Sequence, residues 1–320
     1  KDGGYSGSLG LKAGAMAAYG YNSSSPTFVF DASIGKWTFN YYAVNQHQKL
    51  IEDAKYNYLY DSGLQTNSIS ETRSWLNSFG NRLNISYEVN DKSTLAISEY
   101  VGNVTIKNKQ NSVVETILGN DEEAMESNNM IHGPESQFVQ QTVAKYILTT
   151  DDKGSKLEVT ADYYHQNHHL KQFEDIDNIR TYENSTQEKT NMFQLYPKYT
   201  RKFNGGKELK VGANYQFIRY NDETDGLSND ADAHIASAYA NFTGMTKSLM
   251  YSAGLTLQYN RMDVQTAQET TFFDDVYLCP QANLMWMINP QKGRMLGVLY
   301  QCSVSDMPYS AINGYKNFST

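Results

Sequence analysis

Long stretches of the chain alternate strictly between apolar and polar side chains. Leu249, Tyr251, Ala253, Leu255, Leu257 and Tyr259 are interleaved with Ser252, Gly254, Thr256, Gln258 and Asn260. A β-strand sends successive side chains to opposite faces, so this segment predicts a strand with one apolar and one polar face. The same pattern recurs at Leu9, Leu11, Ala13 and Ala15, at Leu83, Ile85, Tyr87 and Val89, at Leu157, Val159, Ala161 and Tyr163, and at Leu209, Val211, Ala213, Tyr215 and Phe217. Phe28, Phe30 and Ile34 with Trp37, Phe39 and Tyr41 predict one apolar-faced hairpin.

The connections sort by length. Gly35-Lys36, Asn90-Asp91-Lys92-Ser93, Asp151-Asp152-Lys153-Gly154, Asn204-Gly205-Gly206-Lys207, Gly244-Met245-Thr246-Lys247 and Asn289-Pro290-Gln291-Lys292 are rich in residues that take hairpin-turn angles. Between them lie longer polar stretches, residues 46–77, 107–136, 168–190, 222–233 and 265–275, and one shorter connection at 21–26. The intervening strands come to about 10 to 16 residues, beyond the ~5–6 usual in soluble sheets. Short turns at one end and long loops at the other describe an outer-membrane barrel; a soluble sandwich has no reason to sort its loops this way. The prediction is an all-β, antiparallel up-and-down transmembrane β-barrel, with residues 1–320 part of one barrel domain. About thirteen strands are counted, whereas bacterial barrels close with an even number. With the chain stopping at Asn317-Phe318-Ser319-Thr320 soon after a strand, the expectation is an incomplete barrel lacking its C-terminal strands.

Composition sharpens this picture. The mean hydropathy is −0.60, and no run of about 20 apolar residues exists, which excludes a membrane helix but not a barrel, whose strands meet lipid only at every second residue. Tyr numbers 25 and Phe 13 against 6 Pro, and tyrosine suits a lipid–water boundary. The net charge of −8 argues against nucleic acid as a partner. Two cysteines are no disulfide framework. If the strands before and after Asn289 both turn their apolar faces to lipid, as a turn of odd length allows, Cys302 falls opposite Pro280 and Cys279 points to the other face, so a disulfide is not expected; a turn of even length would reverse this.

Three stretches resemble the barrel of TonB-dependent receptors of Bacteroides-like bacteria. They are Gly4-Tyr5-Ser6-Gly7-Ser8-Leu9-Gly10-Leu11, similar to a first barrel strand; Ala238-Tyr239-Ala240-Asn241-Phe242 with Tyr251-Ser252-Ala253-Gly254-Leu255; and Pro280-Gln281-Ala282-Asn283-Leu284 with Tyr300 through Pro308-Tyr309. The chain departs from the family's pattern at Gln301-Cys302-Ser303 and at Thr256, as a divergent member would. The resemblance implies active uptake of a nutrient or metal complex, with localisation in the outer membrane. It also implies a plug domain, absent from this chain, through which the TonB complex acts, and an orientation with the tight turns periplasmic. Outer-membrane lipids, an unknown small ligand and a surface lipoprotein are the partners it suggests. The alternatives are a binding or adhesin barrel without active transport and a soluble β-rich surface protein, which would show a polar outer face.

Candidate chemistry is sparse. His165, His168 and His169 offer imidazoles for a metal or haem, yet their spacing is unconvincing and alternation sets His165 apart from His168. Asp121, Glu122, Glu123 and Glu126 lack the glycine-punctuated spacing of a calcium loop. Tyr56, Tyr58, Tyr60 and Trp75 are the candidate ligand-binding residues, as loop aromatics able to stack on a sugar or peptide. No nucleophile–base arrangement stands out, so no catalytic residue, cofactor or metal is expected.

Overall fold

A computed structural model of the chain describes residues 3–16, 21–60, 64–118, 125–266, 270–289 and 294–302. Its strands are β1 Gly4–Met16, β2 Tyr21–Ile34, β3 Trp37–Leu59, β4 Leu64–Asn90, β5 Ser93–Leu118, β6 Met125–Thr149, β7 Lys156–Ile176, β8 Ile179–Lys202, β9 Glu208–Thr224, β10 Leu227–Met245, β11 Leu249–Gln265, β12 Thr270–Asn289 and β13 Arg294–Gln301. They form one 13-stranded sheet in chain order, each strand antiparallel to its sequence neighbours, and no helix occurs among the described residues. β1 and β13 are its two edges.

The alternation read from the sequence becomes an asymmetry of exposure. On β11, Ala253, Leu255, Leu257 and Tyr259 are exposed, while Gly254, Thr256, Gln258 and Asn260 between them are less so. On β12, Leu278, Leu284, Trp286 and Ile288 are open and Cys279 is buried. The apolar face is thus the more accessible one, as on the convex side of a curved sheet, which is the reverse of a water-soluble sheet. Register carries this face from strand to strand. Leu255 stands opposite Pro280 and Ala240, Ala240 opposite Val211, Val211 opposite Tyr199, and Tyr199 opposite Leu157. From Leu249 to Tyr259 the apolar run covers about 34 Å of strand, or about 26 Å of height at a ~40° tilt, the thickness of an apolar band.

Aromatic rings mark the rim beside the short turns, where Trp37 lies 4.5 Å from Tyr87. At the other rim Arg219 grips Asp232 with two bonds of 2.9 Å. The band is interrupted on β5 and β6 by Glu99, which shares the face of Leu95 and Ile97. Its carboxylate accepts hydrogen bonds from Gln140, at 2.8 Å, and from Thr142, so a charge on this face is held by neighbours on the same face.

The tight turns fall where the sequence places them. Gly35, Gly154, Gly205 and Gly206 take φ of 58°, 81°, 76° and 72°, the left-handed region that favours glycine. The turn after β10 spans residues 246–248, and the one after β12 lies outside the described residues. Between β6 and β7, Asp151 accepts from the backbone of Lys153 and Ser155 and from the Ser155 hydroxyl (2.6 Å). Ser155 Oγ in turn accepts from Lys202 N at 3.0 Å, tying the turn to β8.

Two expectations are corrected. The strands are longer than 10 to 16 residues: β3 to β8 run 21–27 residues. Where they are described, most of the polar stretches expected as loops, including 21–26, 46–59 and 64–77, are continuations of paired strands. Loss of apolar alternation marks where the chain leaves the lipid, not where pairing ends. The cysteines are free thiols in the expected register. Ala282 pairs with Tyr300 and Cys302 N reaches Pro280 O at 3.2 Å, as the register requires. Cys302 lies just past the end of β13, and its Sγ comes within 3.3 Å of Cys279 Sγ.

Candidate ligand-facing site

The polar face carries its charged groups in two tiers. Nearer the short turns, Glu158 sits between Lys145 (3.2 Å) and Lys198 (2.9 Å). Towards the long hairpins, each ring nitrogen of His168 is 3.1 Å from a carboxylate oxygen, one of Glu135 and one of Glu188. Glu188 stands opposite Asp222 in the β8–β9 register. Asp222 is buried, with the Thr224 hydroxyl 3.2 Å away and 3.3 Å from Thr186 Oγ1. This upper tier is acidic and rich in hydroxyls, suited to a polar or cationic solute. His165 points to the opposite face and bonds Asn191 at 2.8 Å, and His169 lies 3.5 Å from the Ser185 hydroxyl. Alternation had separated His165 from His168, and the structure does so. Among the described residues no group of three metal-ligating side chains converges.

The predicted aromatic set divides. Tyr56 and Tyr58 lie on β3, not in a loop, on the same face as Thr38 and Asn40. Their rings are near-parallel at 14°, with centroids 6.2 Å apart. Tyr60 follows directly after β3 and is exposed. Trp75 lies within β4, paired with Lys49 and Lys107, on the face that continues the apolar band. It is therefore on the other side of the sheet from the tyrosine pair. Asp121, Glu122 and Glu123 lie outside the described residues; Glu126 pairs with Glu115.

A separate cleft of about 1040 Å³ opens among the distal parts of β3 to β7, lined mostly from the other, outward face by Asp53, Lys55, Glu71, Lys109, Asn111 and Asp175. The guanidinium of Arg180 holds the Asp175 carboxyl below its ordinary value, helped by His132 at 3.1 Å. Arg180 also stacks over Phe173, 4.4 Å from its centroid. These contacts fix the β7–β8 tip, where Asp177 and Asn178 take positive φ.

Sequence reasoning missed one cluster. Lys107 and Lys109 fall in a stretch whose sequence predicts a loop, but they are in-register strand positions on the face of Trp75 and His132. The signal was available in continuing the two-residue period of β5 past Val101, through Asn103 and Thr105, to Lys107 and Lys109.

Residues 148–320 match the family described as outer membrane protein beta-barrel family. No curated protein sequence is detectably similar to the chain. Among solved structures, the ferric citrate transporter FecA in its unliganded form aligns at 9% identity and a TM-score of 0.37, over 94% of this chain and 60% of that one. The ferric preacinetobactin receptor BauA of Acinetobacter baumannii aligns at 8% identity and a TM-score of 0.34, over 93% and 60%. The toluene transporter TodX of P. putida aligns at 10% identity and a TM-score of 0.34, over 88% and 82%. The chain therefore spans about 60% of the length of FecA.

Proposed function

This chain belongs to the outer membrane protein β-barrel family and resides in the bacterial outer membrane, and from that premise we propose that it is the barrel of a TonB-dependent receptor taking up a nutrient or metal complex. The observation carrying this reading is a single sheet of thirteen neighbouring strands whose less exposed face is polar on strands such as β7, β8 and β11. About eight strands already enclose an interior that side chains can fill; a wider barrel holds water or an inserted domain. In this reading further strands complete the wall, and a separate plug domain packs against Glu158, Lys145 and Lys198.

Short turns are periplasmic and long connections extracellular in such barrels. That orientation turns the acidic tier of Glu135, His168, Glu188 and Asp222, and the Tyr56–Tyr58 stack, towards incoming solute. Tyr56, Tyr58 and Tyr60 form the landing surface, and Trp75 is left out of it because of the face it occupies. The TonB complex, working through the plug, supplies the energy, and a surface lipoprotein is a candidate partner. The protein acts by binding and transport, with no covalent chemistry assigned to it.

The test is growth on a limiting nutrient, with this gene or TonB deleted separately. Active uptake predicts that either deletion abolishes growth on the same nutrient. Growth that needs the barrel but not TonB points to a passive channel. A loss of surface attachment with normal growth points to an adhesin.

A further inference from the structure

Cys279 and Cys302 are the two cysteines of the chain, and the fold sets their sulfurs side by side. Cys279 is buried on β12, one residue before Pro280, and Cys302 follows β13 directly. The Cys302 amide donates to the Pro280 carbonyl at 3.2 Å, so the two backbones are tied together at this level. The Sγ atoms are 3.3 Å apart, and both belong to free thiols. A bond between them needs an approach of only about 1.3 Å, which side-chain rotation supplies without moving a strand. Among the described residues no third Cys, His, Asp or Glu joins the pair as a metal ligand.

The pair stands where a covalent link has most to hold. β13 has eight residues, the fewest of any strand described, and is an edge of the sheet. Its ladder with β12 runs from Asn289 and Arg294 beside the turn to Gln281 and Gln301 at the open end, with an irregularity between Met287 and Asn289. Chain connectivity holds the turn end. Hydrogen bonds alone hold the open end, and a hairpin frays from there. The two thiols lie immediately beyond that open end. A protein of the outer membrane also crosses the periplasm on its way, and that compartment is oxidising.

We propose that Cys279 and Cys302 are a redox modification site, oxidised to a disulfide that staples the open end of the β12–β13 hairpin. The oxidant is a disulfide-bearing carrier protein of the periplasm. The thiolate of one cysteine attacks a sulfur of the carrier's disulfide, forming a mixed disulfide and releasing one carrier thiolate, which takes up a proton. The second cysteine gives up its proton and attacks the mixed disulfide, and the carrier leaves as a dithiol. The chain loses two electrons and two protons, and the carrier gains both. The closed ring restricts the unfolded hairpin more than the folded one, which favours the folded state. The inference needs only passage through the periplasm, and stands whether or not uptake depends on TonB.

The test uses the full-length protein in outer membranes from a host with an intact periplasmic oxidant. Membranes are quenched in acid, and thiols are blocked with N-ethylmaleimide before or after reduction. The expected result is a linked pair of peptides carrying Cys279 and Cys302, two hydrogens lighter than the reduced peptides, with both cysteines blocked only after reduction. In a host lacking the oxidising carrier the same protein should carry free thiols. Reducing the parent protein should lower its heat-unfolding temperature on gels by roughly 5–10 °C, the weight of one disulfide. Cys279→Ser, Cys302→Ser and the double variant should each match the reduced parent. Both thiols free in protein from oxidising cells overturns the proposal. So does a parent unmoved by reductant while Cys279→Ser lowers its unfolding temperature, since the buried thiol then acts by packing alone.

Discussion

Tyr239 on β10 lies flat against Gly212 on β9, so close that a β-carbon at Gly212 would sit 2.7 Å from its ring. The two residues are direct register partners on the polar face. The ring covers backbone that a larger residue would occupy, an aromatic covering a glycine across the strand pair. Gly212→Ala is therefore expected to push Tyr239 out and destabilise the β9–β10 pair by about 1–3 kcal/mol, the usual effect of overpacking. Urea unfolding in micelles measures it, and Gly212→Ala/Tyr239→Ala should recover most of the loss. A double variant no more stable than the single one would show that the ring is not what the new methyl meets.

Leu255 and Thr256 are adjacent on β11 and face different solvents. A charge at the middle of a lipid face costs about 2–4 kcal/mol, and on the lumen side little. Leu255→Arg should reduce folded, heat-modifiable protein in the outer membrane, while Thr256→Arg should leave it near the parent level. Equal yields for the two would contradict the assignment of faces.

Ser155 is fully buried in the β6–β7 turn, accepting from Lys202 N and donating to Asp151. Ser155→Ala leaves both partners short of a bond and should cost about 1–3 kcal/mol. Faster hydrogen exchange at Lys202 N in the variant is the specific signature, since a general loosening would raise exchange along all of β8.

The Asp175 carboxyl is held below its ordinary value of 3.8, first by Arg180. A carboxyl depressed on folding contributes stability above its unfolded value and loses that contribution as pH falls through the folded one. The β7–β8 tip should therefore be fully held at neutral pH and loosen only below about pH 4. Proteolysis near Asp177-Asn178 across a pH series, using an acid-active protease, reads this. Asp175→Asn should be cleaved equally at both ends of the range.

The faces of the strands were legible in the sequence because lipid and water impose opposite demands on alternate residues. Leu249 to Tyr259 could be placed from that pattern alone, and the glycine-marked turns at Gly35 and Gly205-Gly206 followed from backbone angles. The distal parts of β3 to β8 were not legible as strands. Both faces there meet water, so residues such as Gln46, Gln48 and Asn77 carry no apolar period although their backbones are paired. The ligand-facing tier was hidden for another reason. Glu135, His168 and Glu188 come from three strands, and only the register brings them together. Trp75 was grouped with Tyr56 by proximity in the sequence, which says nothing about faces when the chain reverses between them.

The tall hairpins beyond the lipid band are hydrogen-bonded ladders almost to their tips. Their backbone entropy is surrendered during folding, before any solute arrives. A molecule captured at this surface meets walls that already have their shape, so little of its binding energy is consumed in ordering the protein. Discrimination among solutes then rests on fit to a stiff outline, and small exchanges at outward or inward positions can retune it without rebuilding the strands beneath.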